Sequence, residues 1–79
     1  MKRWDENKNE WLKRNRGAGF DDILSRGQHI RNEDHPTRTS QIKMLFMFED
    51  YVWVVVFDLH ESKFKTAFPS RKHQKGFKK

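Results

Sequence analysis

The run Tyr51–Leu59, YVWVVVFDL, leaves this chain little freedom in how it folds. Its first seven residues are all apolar, and four of them are valine. β-Branched and aromatic side chains fit a pleated strand. A strand with no polar face has to be covered on both sides, so it belongs at the centre of a sheet. The run is also far short of the roughly 18 apolar residues that cross a membrane. Glu49-Asp50, just before it, reads as a tight hairpin turn. The turn joins the run to Gln41–Phe48, where Ile42, Met44, Phe46 and Phe48 alternate with Lys43, Leu45 and Met47.

On the other side, His60-Glu61-Ser62 turns the chain into Lys63–Phe68. There Phe64, Thr66 and Phe68 alternate with Lys63, Lys65 and Ala67, which predicts one core face and one basic face. Pro69 ends this strand, and Ser70 is placed to cap a short helix through Phe77. Upstream, residues 4–16 read as an amphipathic helix, with Asp5 at its N-cap, Lys13, Arg14 and Arg16 in its last turn, and Trp4, Trp11 and Leu12 on one face. Gly17 and Gly19 stop it. Phe20, Ile23 and Leu24 share a face of a second short helix that ends at Gly27. The polar stretch Gln28–Ser40, with His35-Pro36 in its middle, reads as a loop with a short edge strand at His29–Arg31. The fold class is therefore α+β, a single domain over 1–79. Two N-terminal helices pack on a three- to four-stranded antiparallel sheet, followed by a short C-terminal helix.

Composition narrows the function classes. The 79 residues contain no cysteine, so disulfides and thiolate metal sites are excluded. The four histidines, at 29, 35, 60 and 73, form neither an HxH nor an HExxH pair, so neither a metal site nor a cofactor is expected. The opening Met1-Lys2-Arg3-Trp4-Asp5 has no apolar signal core, and the expected location is cytoplasmic, with no membrane association. The formal net charge is +6, and it sits at one end. Residues 63–79 carry seven Lys or Arg and no Asp or Glu, while the first 62 residues are close to neutral. A one-sided basic segment binds polyanions, and RNA or DNA is the commonest one in a cell. A solvated Lys-rich tail is the plain alternative, but here Phe64, Phe68 and Phe77 are interleaved with the cations.

Three pieces in this order resemble the BrnT group of toxin–antitoxin ribonucleases, within the wider RelE-like fold. Trp4-Asp5-Glu6-Asn7-Lys8-Asn9-Glu10-Trp11-Leu12 is similar to that family's opening helix. Asn15-Arg16-Gly17 with Phe20-Asp21-Asp22-Ile23 resembles its second motif, and Lys65–Lys72 with Gln74-Lys75 resembles its closing one. The chain departs from the pattern at Arg16, in its compact loop before the hairpin, and at Gly76-Phe77. The resemblance implies a toxin that cleaves mRNA, free or on the ribosome. It also implies a heteromeric complex with a DNA-binding antitoxin that silences it.

Cleaving RNA without a metal needs a base for the 2′-OH, cations for the phosphorane and an acid for the 5′-oxygen. Arg71 is the first candidate: it matches the closing motif, and a guanidinium fork suits the phosphorane. It would otherwise pair with Asp58 or Glu61. Lys65 and Lys63 share the exposed face of their strand by alternation and would line a phosphate groove, or simply protect an edge. Arg38 would reach the same surface across the meander. His73 and His35 are the candidate proton shuttles, because imidazole titrates near neutral pH; His35, before a proline, also suits a turn. Lys72, Lys75 and Lys78 are candidate RNA contacts. Phe77 is the candidate for base stacking, since alternation puts Phe64 and Phe68 in the core. Two functions besides catalysis fit the same residues. One is a nucleic-acid-binding module, and the other is an interaction module whose tail docks an acidic partner.

Overall fold

The computed structural model describes residues 3–77. Its elements run α1 (Glu6–Arg16), α2 (Phe20–Arg26), β1 (Gln28–Asp34), β2 (Gln41–Phe48), β3 (Tyr51–Asp58), β4 (Lys63–Pro69) and α3 (Arg71–Phe77). The four strands form one antiparallel meander in the order β1-β2-β3-β4. This is the expected α+β arrangement. Among the described residues, no helix is long and apolar enough to cross a membrane.

β3 is the central strand that its composition demands. Val52, Trp53, Val54, Val55 and Val56 are all buried. Trp53 and Val55 join Phe46, Phe48, Phe64 and Ala67 beneath Leu12, Phe20 and Ile23 of the first two helices. Val52, Val54 and Val56 face the other way, with Leu45 and the half-buried Ile30, Met47 and Phe68. The strand stops at Asp58, and Leu59, counted in the apolar run, is 54% exposed. Asp58 ends it because its carboxylate accepts from the Glu61 backbone N–H and the Gln41 amide, which closes the turn. In the β2–β3 hairpin, Phe48 pairs with Tyr51 around Glu49 and Asp50 at φ 51° and 64°. Both central residues of a type I′ turn need positive φ. Neither is glycine, so each of these two turn residues costs about 1–2 kcal/mol, which the eight residue pairs of the hairpin offset.

α1 starts two residues later than the helical pattern suggested. Asp5 caps it, accepting from Asn7 N–H at 2.7 Å. Gly17 ends it at φ 90°, where a β-carbon would be strained. Trp4 lies outside the helix, stacks on Phe20 and meets the Phe64 ring at a tilt. Trp11 does not share the core face. It is 38% exposed, with Lys8 and Arg16 over its ring. The buried face is instead Leu12 and the polar Asn9. Asn9 Oδ1 accepts the Phe20 N–H at 2.6 Å, and its Nδ2 donates to Asp21. It thus supplies the cap that Gly19, at the start of α2, has no side chain to provide.

Two further differences come from irregular pairing. β1 is seven residues long rather than three, and a bulge between His29 and Arg31 turns Ile30 into the second core cluster. In β4 a second irregularity pairs Phe57 with Phe64 but Val56 with Thr66. This shift breaks the expected alternation. Phe64 and Ala67 face α1 and α2, while Phe68 packs on the opposite side. A single basic face along β4 is therefore not formed. The outer edge of β4 is closed by the Arg3 carbonyl on Phe64 N–H and by Arg16 on the Ala67 carbonyl, both at 2.7 Å.

Replacing Asn9 with alanine orphans a buried N–H at the start of α2. We expect Asn9→Ala to lower the unfolding free energy by about 1–3 kcal/mol in urea denaturation. Asn15→Ala, which removes only a bond to the Trp11 carbonyl on an exposed turn, should stay within about 0.5 kcal/mol.

Candidate functional site

Pro69 stops β4 opposite Trp53, and the chain turns into α3 at once. Two hydrogen bonds fasten the start of this helix to β3: Ser70 N–H donates to the Val52 carbonyl, and Val52 N–H donates to the Gln74 side chain, each at 2.8 Å. They take up the groups of β3 that β4 no longer reaches. Ser70 also caps the helix, accepting from His73 N–H at 3.3 Å. From there His73 reaches β1.

The imidazole lies between two partners. Ser70 Oγ is 2.7 Å from Nδ1, and Glu33 Oε1 is 3.1 Å from Nε2. Ser70 is buried and the His73 side chain is 11% exposed, whereas Glu33 opens onto a cavity of about 550 Å³. Arg31, Lys43, Lys72 and Gly76 line the rest of that cavity. The register explains the grouping. Glu33 pairs with Lys43, and Lys43 with Val56, so all three sit on the sheet face that α3 crosses. Arg31 lies two residues before Glu33 and holds its Oε2 at 2.8 Å, while Lys43 stands 3.9 Å from Oε1. The Arg31 guanidinium, and next the His73 ring, keep the Glu33 carboxyl below the usual range, against a smaller opposing effect of burial.

This pocket gathers only part of the expected site. His73 and Lys72 line it. Arg71 lies on another side of α3, in a cavity with Phe48, Glu49, Tyr51, Trp53 and Pro69, and it pairs with neither Asp58 nor Glu61. Lys75 joins Arg71, Tyr51 and Gln74 in an adjoining hollow. Lys63 and Lys65 sit beside Asp5, Lys8 and Glu61, near the turn between β3 and β4. Lys65 is bound to Glu61, which raises its pKa and removes it as a spare cation. His35 serves the β1–β2 loop: its Nδ1 accepts the Thr37 and Arg38 N–H groups at 3.2 Å each. Arg38 is exposed on that same loop. The Phe77 side chain and Lys78 fall outside what is described.

Glu33, Arg31 and Lys43 were missed by sequence reasoning. They lie 30 to 42 residues from His73, and Arg31 and Glu33 fall in the segment Gln28–Ser40 that reads mostly as loop. A polar residue pattern of Arg31 and Glu33 at strand spacing was the one available signal. Among the described residues, no group of three or more His, Asp or Glu is placed to hold a metal ion. No protein-family model matches the chain, and neither does any curated protein or solved structure.

Because the folded-state carboxyl of Glu33 titrates below its unfolded value, its contribution to stability is complete above roughly pH 4.3, the ordinary Glu value, and disappears as the pH falls through the lowered one. Asp58, held low by the Glu61 N–H and the Gln41 amide, acts in the same sense. Urea unfolding followed from about pH 7 down to about pH 3 should therefore show stability falling in acid. Glu33→Gln should make that fall shallower without removing it.

Proposed function

We propose that this protein is an endoribonuclease that needs no metal and cleaves mRNA by attack of a 2′-OH on the adjacent phosphate. The observation that carries this reading is the Ser70–His73–Glu33 hydrogen-bonded chain inside a pocket lined by Arg31, Lys43 and Lys72. Glu33, ionised at neutral pH, accepts the 2′-OH proton. The 2′-oxygen forms its bond to phosphorus, and the bond to the 5′-oxygen breaks. Protonated His73 gives its Nε2 proton to that leaving oxygen. The proton on Glu33 then returns to His73 across the 3.1 Å contact, which resets the pair. Lys72, Lys43 and Arg31 offset the charge that builds on the phosphorane. Ser70 fixes the ring through Nδ1 and is a positioning residue.

The resemblance to the BrnT group supports the same reading and adds the biological setting. In that setting the protein is a cytoplasmic toxin, acting on mRNA free or on the ribosome. Its partner is a DNA-binding antitoxin that offsets the cationic pocket with acidic or apolar residues. A second reading has its own support. Both ring nitrogens of His73 are already hydrogen-bonded, so the histidine also works as a tether between α3 and β1. In that reading the pocket holds phosphate without cleaving.

The two readings separate in one assay of purified protein on labelled single-stranded RNA in the presence of EDTA. The nuclease reading expects products ending in 2′,3′-cyclic phosphate. It expects His73→Asn and Glu33→Gln to slow cleavage by about 10²- to 10⁴-fold while circular dichroism stays unchanged. Lys72→Ala should chiefly weaken RNA binding and lower its salt slope by about 1. RNA that is bound but stays intact would overturn the nuclease reading in favour of the binding module.

A further inference from the structure

The cavity at the hairpin end of the sheet is not used by the chemistry above. It measures about 470 Å³ and is lined by Phe48, Tyr51, Trp53, Pro69, Glu49 and Arg71. Its floor is apolar and rigid, since Phe48 and Trp53 are buried and meet edge to face at 6.0 Å. Tyr51 is half-buried and lines the cavity beside them. Arg71 is exposed, and no ion pair or side-chain hydrogen bond joins it to the described residues. The one carboxylate on the rim, Glu49, stands 3.9 Å from Arg26, which offsets its charge. Tyr51 and Arg71 also line the neighbouring hollow, where Lys75 follows Arg71 by one helical turn. Beyond α3 lies the pocket that contains Lys72 and His73.

An apolar slot with an aromatic wall suits a flat heterocycle, and a guanidinium beside it with no ion pair among the described residues suits the phosphate attached to that heterocycle. We infer that this cavity is a nucleobase subsite: one base of a single-stranded nucleic acid stacks against Tyr51 over the Trp53–Phe48 floor. Arg71 and Lys75 hold the flanking phosphates, and the strand continues over α3 toward Lys72. The inference shares its substrate class with the proposed function but not its chemistry. Arg71, the first candidate for catalysis by motif, becomes a binding residue.

The test uses strands that cannot be cleaved. The full chain is titrated with a fluorescent six-residue oligodeoxythymidylate and with an abasic strand of the same length, both of which lack the 2′-OH. Wild type should bind the thymidylate more tightly by about 5- to 150-fold, the range for one stacked base. Tyr51→Leu keeps an apolar side chain in the core and should erase most of that difference. Arg71→Ala should weaken both strands alike. Equal affinity of wild type for the two strands would overturn the inference. So would a Tyr51→Leu loss of equal size on both, or binding of an acidic peptide with no affinity for either strand. Because the probes lack the attacking hydroxyl, a base preference seen here with no RNA cleavage would discard the nuclease chemistry and keep the subsite.

Discussion

β3 is hydrogen-bonded along both edges and buried on both faces, and everything around it answers to that. A strand made of YVWVVVF cannot leave either face wet. One face is covered by Leu12, Phe20 and Ile23 from α1 and α2, with the Trp4 and Phe64 rings in tilted contact at the margin. The other face has only a short helix to cover it. α3 has seven residues, too few to be stable alone. Its position is therefore set by bonds to its neighbours: Ser70 and Gln74 to Val52, and His73 to Glu33. The need to cover the valines brings the helix across the sheet, and the bonds that hold it there assemble the pocket.

Charge follows the same geometry. The basic segment looks uniform along the chain, yet the fold divides it. Lys65 is spent on Glu61, Lys72 turns toward Glu33 and His73, and Arg71 and Lys75 turn toward Tyr51. Glu33 lies among Arg31, Lys43 and His73 and stays ionised, so the pocket has an acceptor within a cationic rim. A carboxylate and an imidazole that share a hydrogen bond can pass a proton between them, and cations nearby suit a phosphate. The same contacts also stabilise the fold, so the pocket serves structure and chemistry with one set of atoms.

Edges and turns show where local preference gave way. Glu49 and Asp50 adopt positive φ because the register on both sides leaves two residues to reverse the chain. The bulge in β1 directs Ile30 into the core and leaves Arg31 and Glu33 together on the sheet face. At the other edge, Arg3 and Arg16 close β4 through its backbone. Each of these is a place where a neighbouring strand or helix decided the conformation.

The amino-acid sequence determined the helices and the strands other than β1, because apolar periodicity, glycine stops and caps act over a few residues. The central strand, the hairpin at Glu49-Asp50, the Ser70 cap and the class of the fold were all legible for that reason. Tertiary structure alone decided which polar residues meet. No local rule places Glu33 against His73, forty residues away, or puts Asn9 rather than Trp11 on the buried face of α1. Nor does alternation foresee the β4 irregularity that sends Phe64 and Phe68 to opposite faces. Those outcomes depend on register and on the crossing of α3, which are set by burial of the whole sheet and not by any one segment.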